Sequence, residues 1–562
     1  MTDSGVAAQP PPTRRARLGG LRPDRWPLPA WAAIPPVVIG LALYWRTLLP
    51  GLGVWDNAEF QAIGPVLGIA HPTGYPTYTL LAWLASVVLQ PFGDEAYRAN
   101  LLSALLVAAA TGLLAATVTA ISGRLVAGIA AGIALALAEH PWRIALAADP
   151  HALHVLFVAL LLALLAGWLA RSRAGRPADG WLLSAAVVYG LSLGNHALTV
   201  LLAPGIALFV FAAAPRLFRR PLFVAACAGV AALTALAVYM YLPIRSAMDP
   251  PLDYANPQTL EGFTYVVLGQ QFAGTFQAMP PLDVALADFA RWAWRELGVI
   301  SLAAPFGALF LLLRRPALLL MLGAWVTLTW LFSLGYINAA IERYYLGPLV
   351  CIALLGGLGA AGLIDIVLRL RPLQRLADAA GRARRRVPEV AETASWGGTA
   401  RVAGGVAGRY GANASERFLV GLVAGLLLLV PPAVAAPTTF ARVDISDDHS
   451  ARQWVESVVA RLEANAVVIS WWSYSTPLWY VQFVEGRRPD VYVVDDRTIL
   501  DEGYGTVDAA IERYLGNRPV YVIRLPRDLA ELAQRYRLVL VAGVAPMWGG
   551  QLHRVEGRQG GG

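Results

Sequence analysis

The sequence predicts an α-helical polytopic membrane protein, of about 11 transmembrane helices, that ends in a small α/β soluble domain. Three observations predict it. Of 562 residues, 57% are hydrophobic and 15% charged, with a mean hydropathy of +0.54, which lies beyond ordinary soluble domains. Apolar runs of spanning length, roughly 20 residues, recur between Ala30 and Ala435. From Asp444 the pattern changes to short β-rich runs alternating with helical ones.

In chain order, the basic N-terminus, 1–29, carries Arg14, Arg15, Arg17, Arg22 and Arg25 ahead of the run 30–49. That run is too long for a signal-peptide core, so it reads as an uncleaved first helix that starts in the cytoplasm. Further runs cover 101–121, 125–138, 152–170, 181–193, 197–214, 222–242, 299–313, 317–336, 346–368 and 418–435. They define a transmembrane domain over 30–437. Arginines crowd alternate connections: Arg124, then Arg171, Arg173 and Arg176, then Arg216, Arg219 and Arg220, then Arg314 and Arg315, then Arg382 to Arg386. The positive-inside preference places all of these in the cytoplasm. An outer loop, 50–98, then faces the other side, with 139–150, 194–196, 245–296, 337–345 and everything past 435. The expected location is the plasma membrane, multi-pass, with the C-terminal domain extracytoplasmic.

The net charge of +8 comes from 45 arginines against 37 acids, and the arginines gather at span ends. Their placement reports orientation and contact with membrane lipids, and it argues against nucleic acid as a partner. Cys227 and Cys351 lie far apart inside apolar runs, which supports neither a disulfide framework nor a CxxC metal site. The cytoplasmic loop 371–417, rich in Ala, Gly and Arg, reads as a flexible linker that an anionic leaflet would attract. In the last domain, 438–562, strands at 466–470, 490–494, 519–524 and 538–542 alternate with helices at 450–463, 506–514 and 528–536. Alternation of that kind predicts a parallel sheet, followed by a disordered tail ending at Gly562.

Span centres are nearly free of Asp, Glu and Arg, whereas acids, histidines and aromatics collect at the outer ends. A carrier of polar solutes needs such groups near the midplane, so a site on the outer face is favoured over a transport path. The stretch 55–78, WDNAEFQAIGPVLGIAHPTGYPTY, opens that collection. Asp56 and Glu59, three apart, share one helix face and suit general-base work, or else solvate or cap the helix. A stiff turn follows, in which His71 binds a ligand or hydrogen-bonds the turn, and Tyr75 contacts a ligand or sits in the interfacial belt. Asp149, His151 and His154 form a hydrogen-bond network more readily than a metal site, and no metal ligand is assigned. His196 stands at the next outer tip. Arg245, ending the run YLPIR, is placed to fork onto a phosphate or to snorkel.

The segments WDNAEF, GIAHPTGYPTYTLL, YRANLLSAL, GLSLGNHALT, YLPIR and LWYVQFVEGRRPDVYVVD together resemble the GT-C superfamily of membrane glycosyltransferases, in its protein O-mannosyltransferase-like family. The resemblance runs from Trp55 to about Asp495 and is most specific at the acid pair with HPTGYP. It implies a polyprenyl-phosphate-linked sugar, mannose or another hexose or pentose, as donor. The acceptor it implies is a hydroxyl of a protein, lipid or glycan outside the cytosol. Asp56 becomes the general base, Glu59 its support, and Arg245 with His196 the phosphate contacts; His71, Tyr75, Asp149 and His151 line the donor or acceptor site. The chain departs from the family pattern at Asp149-Pro150-His151, where Glu-Val-Tyr is usual, and at Trp471-Trp472-Ser473. No cofactor is called for, and nothing in the spacing supports a divalent-cation requirement. The rival reading is a non-enzymatic membrane scaffold or a carrier of lipid-linked sugar.

Overall fold

The computed structural model describes residues 29–338, 340–367, 400–545, 547 and 549–560. The basic segment 1–28 and most of the expected cytoplasmic linker, 371–399, lie outside the described residues. The membrane part runs α1 (Ile34–Thr47), α2 (Asp56–Val66), α3 (Pro76–Val88), α4 (Glu95–Ser122), α5 (Leu125–Leu137), α6 (Glu139–Ile144), α7 (Pro150–Arg173) and α8 (Asp179–Leu193). It continues through α9 (Ala203–Ala213), α10 (Pro221–Tyr239), α11 (Tyr241–Ser246), α12 (Leu260–Val267), α13 (Leu282–Leu297), α14 (Val299–Arg314), α15 (Pro316–Gly335), α16 (Leu346–Val367) and α17 (Ala400–Val443).

Each of the eleven apolar runs in the sequence meets a helix. Among the described residues, six helices are long and apolar enough to cross a membrane, or seven if α13 and α14, bent by 112° at their junction, count as one span. The other runs form shorter apolar helices. The protein is therefore an integral membrane protein with a helical core.

Helices α4, α5, α7 and α16 form the centre of the bundle, whereas α10 buries none of its side chains and presents them outward. Without a hydrophobic drive between helices in lipid, close packing of small residues holds such bundles together. The α14 and α16 pair shows this directly: a Cβ on Gly359 would stand 1.9 Å from the Ala303 carbonyl oxygen, and one on Gly356 2.2 Å from that of Ile300. Contacts join ends that the charge alternation places on one side. Arg124 Nε donates to Asp365 Oδ1 at 2.7 Å and Arg173 to the Arg314 carbonyl at 3.3 Å; at the opposite ends, His140 Nδ1 meets Glu296 Oε1 at 2.6 Å.

Three expectations are corrected. The outer loop 50–98 is largely helical: α2, α3 and the start of α4 occupy it. The run PTYTLLAWLASVV has no charge and opens with Pro at the first helical position, a start signal that its length, short of a span, obscured. Residues 400–417, assigned to the flexible linker, belong to α17; Ala-rich sequence without Pro there favours helix over coil.

The third concerns the C-terminal sheet, built with α18 (Ser450–Val459), α19 (Trp472–Trp479), α20 (Asp496–Asp501), α21 (Val507–Tyr514) and α22 (Pro526–Leu532). Its strands are β1 (Val467–Ser470), β2 (Tyr492–Val494), β3 (Val520–Ile523), β4 (Tyr536–Leu540) and β5 (His553–Arg558), in the order β2-β1-β3-β5-β4. Only β2, β1 and β3 are parallel; β5 runs antiparallel to both β3 and β4. The residues beyond 542 thus supply a further strand, and Gly561 and Gly562 lie outside the described residues. A connection without a helix cannot make the crossover that a parallel neighbour requires, so β4 and β5 pair as a hairpin.

The domain is anchored on the membrane part. Tyr480 Oη accepts from the Ala96 N–H at 3.0 Å, Arg452 bridges Glu485 at 2.6 Å and Asp94 at 3.8 Å, and Arg46 Nη1 donates to Ser446 Oγ at 2.9 Å.

Candidate active site

Helix α2 carries the site, and its sequence explains how it is held. Trp55 precedes it at φ 54°, and Leu67 and Tyr75 beyond it lie at φ 49° each, conformations that non-glycine residues adopt only when packing compels them. Strain of this kind costs about 1–3 kcal/mol per residue and concentrates at functional sites. A buried polar network offsets it. Gln61 Nε2 donates to Asn100 Oδ1 at 2.8 Å, Asn100 Nδ2 donates to the Leu49 and Gly51 carbonyls at 3.0 Å each, and Asn100 Oδ1 also accepts from the Ala148 N–H at 2.9 Å. One asparagine in α4 therefore ties α2 to the turn before α7.

Asp56 stands at the first position of α2, 38% exposed, with Oδ2 3.1 Å from Arg343 Nη1. The same nitrogen lies 3.7 Å from Oδ2 of the buried Asp149. Asp149 caps α7: its Oδ1 accepts from the His151 N–H and from His151 Nδ1, each at 2.8 Å. Burial opposes ionisation of this carboxyl, but the His151 and Arg343 charges prevail and hold its pKa below the ordinary value.

Glu59, one turn along α2, is 2% exposed and does not reach toward Asp56. Its Oε1 accepts from the His71 N–H at 2.9 Å and its Oε2 pairs with His71 Nδ1, so the glutamate fixes the HPTGYP turn. Burial alone would lower the His71 pKa; the charge and hydrogen bond of Glu59 outweigh it, and the imidazole sits above its ordinary value. Tyr75 Oη lies 3.5 Å from His71 Nε2, and its ring packs edge-on against His196 at 5.9 Å and Phe60 at 5.0 Å. The rings of His196 and His151 are 4.6 Å apart, and Tyr344 flanks both. Burial first, then the charges of His151 and His154, drive the His196 pKa well below normal. Trp472, from the C-terminal domain, closes over His71 at 5.5 Å.

Asp56, Glu59, His71, Tyr75, Asp149, His151 and His196 therefore converge. Arg245 does not join them. Its Nε donates to the Leu67 carbonyl at 2.8 Å and its Nη2 to that of Val66 at 3.1 Å, at the far end of α2. The last carbonyls of a helix lack intrahelical partners, and a guanidinium satisfies two of them. The cation at the site is Arg343, which sequence reasoning passed over. A signal for it existed: it is an arginine on the outward side of the alternation, against the inside preference. Among the described residues, no three His, Cys, Asp or Glu side chains are arranged to hold a metal ion.

Residues 56–217 match the family profile "Protein O-mannosyl-transferase TMEM260 N-terminal domain", beginning at Asp56 itself. This stretch of the membrane part is thus similar to that N-terminal domain. A 240-residue stretch is 33% identical to "Protein O-mannosyl-transferase TMEM260" of Mus musculus, covering 42% of this chain and 33% of the relative. The match thus spans about a third of that protein. Among solved structures, ArnT from Cupriavidus metallidurans, bound to undecaprenyl phosphate, superposes with a TM-score of 0.55 at 14% identity, over 92% of this chain and 97% of that one. AglB from Archaeoglobus fulgidus, an archaeal oligosaccharyltransferase in complex with an inhibitory peptide and a dolichol-phosphate, gives 0.50 at 13% identity, over 93% and 74%. Both are GT-C glycosyltransferases, and the fold shared with ArnT covers enough of this chain to reach into the C-terminal domain. The matched stretch includes every converging residue except Arg343, Tyr344 and Trp472, which later parts of the chain bring to it.

Proposed function

We propose that this protein is a GT-C glycosyltransferase that moves a sugar, mannose or a related hexose or pentose, from a polyprenyl-phosphate donor to a hydroxyl acceptor. The observation that carries the reading is a solvent-accessible carboxylate, Asp56, paired with a guanidinium, Arg343, at the open end of a helical bundle. A glycosyl phosphate already has a good leaving group. The enzyme has to align the reactants, remove a proton and stabilise the phosphate as charge grows on it. Arg343 suits the phosphate because a guanidinium can donate to two phosphate oxygens at once. When the phosphate takes Arg343, Asp56 loses its counter-ion and becomes free to accept a proton.

The acceptor oxygen then forms a bond to C1 of the sugar as the bond from C1 to the phosphate oxygen breaks. The electron pair leaves with the polyprenyl phosphate, and the acceptor proton passes to Asp56. One displacement inverts the anomeric centre. We assign the Arg-rich helix ends to the cytoplasm, which puts Asp56 and the C-terminal domain on the outer face of the plasma membrane. A polyprenyl tail would stay in the bilayer with its phosphate at headgroup level, the depth of a site at span ends. In this reading Glu59, His71 and Tyr75 hold the shape of the site, while His151 and His196 line it near Arg343.

The test is release of free polyprenyl phosphate from a polyprenyl-phosphate sugar by purified protein in detergent. Asp56→Asn should lower transfer by roughly 10²–10⁴-fold, the contribution of a positioned base, with unchanged thermal stability. Wild-type transfer by that variant would exclude Asp56 as the base.

A further inference from the structure

The groups at the site close into a ring. Asp56 Oδ2 meets Arg343 Nη1 at 3.1 Å, the same nitrogen lies 3.7 Å from Asp149, and Asp149 Oδ1 lies 2.8 Å from His151 Nδ1. The His151 and His196 rings are 4.6 Å apart, and the Tyr75 ring is 5.9 Å from that of His196 and 5.3 Å from that of His71. His71 returns through Glu59 to α2, one helical turn from Asp56. In this ring Asp56 stands between Arg343 and the Glu59–His71 pair. Three carboxylates, Asp56, Glu59 and Asp149, share one permanent cation, Arg343. A glycosyl phosphodiester brings a single negative charge, but the phosphate monoester left by the sugar tends to two. A proton delivered to the leaving oxygen removes the second charge from a site already rich in acid.

His71 is placed to supply that proton. Its Nδ1 is committed to Glu59, whose other oxygen accepts from the His71 backbone N–H at 2.9 Å, so the ring is held in one orientation. Nε2 is left over. Among the described residues its one neighbour in hydrogen-bonding range is Tyr75 Oη at 3.5 Å, a long contact that a closer acceptor displaces. Burial works against the imidazolium, and the charge and hydrogen bond of Glu59 with the charge of Asp56 outweigh it. The other faces of the ring meet Phe60, Tyr75 and, from the C-terminal domain, Trp472, none of them charged, and His196 beyond Tyr75 is held neutral. At 13% exposure the side chain exchanges protons with solvent between turnovers.

We infer that His71 is a general acid for the transfer: its Nε2–H protonates the oxygen that leaves C1 of the sugar, and Glu59 is the positioning residue that aims it. The inference rests on the transferase reading and adds a second catalytic residue to it. As the acceptor oxygen bonds to C1, the C1–O bond to the phosphate breaks and its electron pair stays on the phosphate oxygen, which takes the His71 proton. The acceptor proton goes to Asp56. Polyprenyl hydrogen phosphate leaves as a monoanion. The net change is one proton moved from acceptor to phosphate, with Asp56 and His71 reset through solvent.

The test follows release of free polyprenyl phosphate from a polyprenyl-phosphate mannose by the full-length protein in detergent, with a heat-treated cell-envelope extract as acceptor, from about pH 5 to about pH 9. The wild-type rate should fall toward alkaline pH as the imidazolium loses its proton. His71→Asn puts an amide N–H where Nδ1 donates to Glu59 and removes the acid. It should keep the melting temperature at neutral pH, lose roughly 10²-fold in turnover, and show no alkaline fall. In His71→Ala, added imidazole should restore at least about tenfold of the lost rate, and the restored rate should again fall as pH rises. A purely structural histidine predicts neither the lost limb nor the rescue. An alkaline fall that persists in His71→Asn overturns the inference, as does a folded His71→Ala that imidazole does not rescue; if His71→Ala does not fold, the His71→Asn profile decides alone. A wild type that releases no polyprenyl phosphate sinks the transferase reading and the acid with it, whereas wild-type release with an unaltered His71→Asn profile sinks the acid alone.

Discussion

Arg343 Nη1 stands 3.1 Å from Asp56 Oδ2 across nearly the whole membrane domain in sequence, and the same nitrogen faces Asp149 at 3.7 Å. One guanidinium therefore serves an accessible carboxylate and a buried one. The accessible carboxylate is the one a ligand can compete with.

Removal of this cation should act on the donor. Arg343→Ala is expected to weaken binding of a polyprenyl phosphate by roughly 10–100-fold, the scale of a lost charge-assisted hydrogen bond, with a smaller effect on acceptor binding. Arg343→Lys keeps the charge without the fork and should fall between. Titration of each ligand separately measures both; a larger loss for the acceptor would reassign the residue.

Arg245 makes the contrasting case. Because it holds the Leu67 and Val66 carbonyls, Arg245→Ala should lower thermal stability by about 1–3 kcal/mol and reduce turnover through α2, while donor affinity changes less than about threefold. A selective loss of donor affinity at unchanged stability would return Arg245 to the phosphate.

The Glu59 and His71 pair carries a pH signature. His71 has a folded-state pKa above its unfolded value, so its stabilising contribution is complete below about pH 6.5 and disappears as pH rises through the raised value. The melting-temperature gap between wild type and His71→Gln should be widest in acid and narrow toward alkaline pH. A gap that is constant across that range would mean that the pair does not titrate.

Asn100 holds together three segments: α2 at Gln61, the turn at Leu49 and Gly51, and the turn at Ala148. Asn100→Leu leaves the Leu49 carbonyl and the Ala148 N–H without their partner in a buried position, and takes one bond each from Gln61 and the Gly51 carbonyl, which still pair with each other. We expect a loss of roughly 2–4 kcal/mol in stability and of transfer activity with it, read by thermal unfolding in detergent. A stable but inactive Asn100→Leu would make Asn100 a direct participant in the reaction.

What the sequence by itself determined is the membrane architecture and most of the site's inventory. Hydropathy and arginine alternation depend on the partition of each segment between water and lipid, a local property, and they place the eleven helical runs and gather Asp56, Glu59, His71, Asp149 and His196 at one set of span ends. Tertiary structure alone decided the pairing. Whether Glu59 supports Asp56 or His71 depends on which way a turn folds back, and which arginine meets Asp56 depends on where the turn 341–345, ahead of α16, comes to rest. Arg245 and Arg343 both stand at span ends that the charge alternation assigns to one side. Packing sends one to the orphan carbonyls at the C-terminus of α2 and the other to the acid at its N-terminus. The antiparallel pairing of β5 with β3 is of the same kind, since the two strands are not consecutive in the chain. The strand and helix signals were local, whereas the contacts that give them chemistry were not.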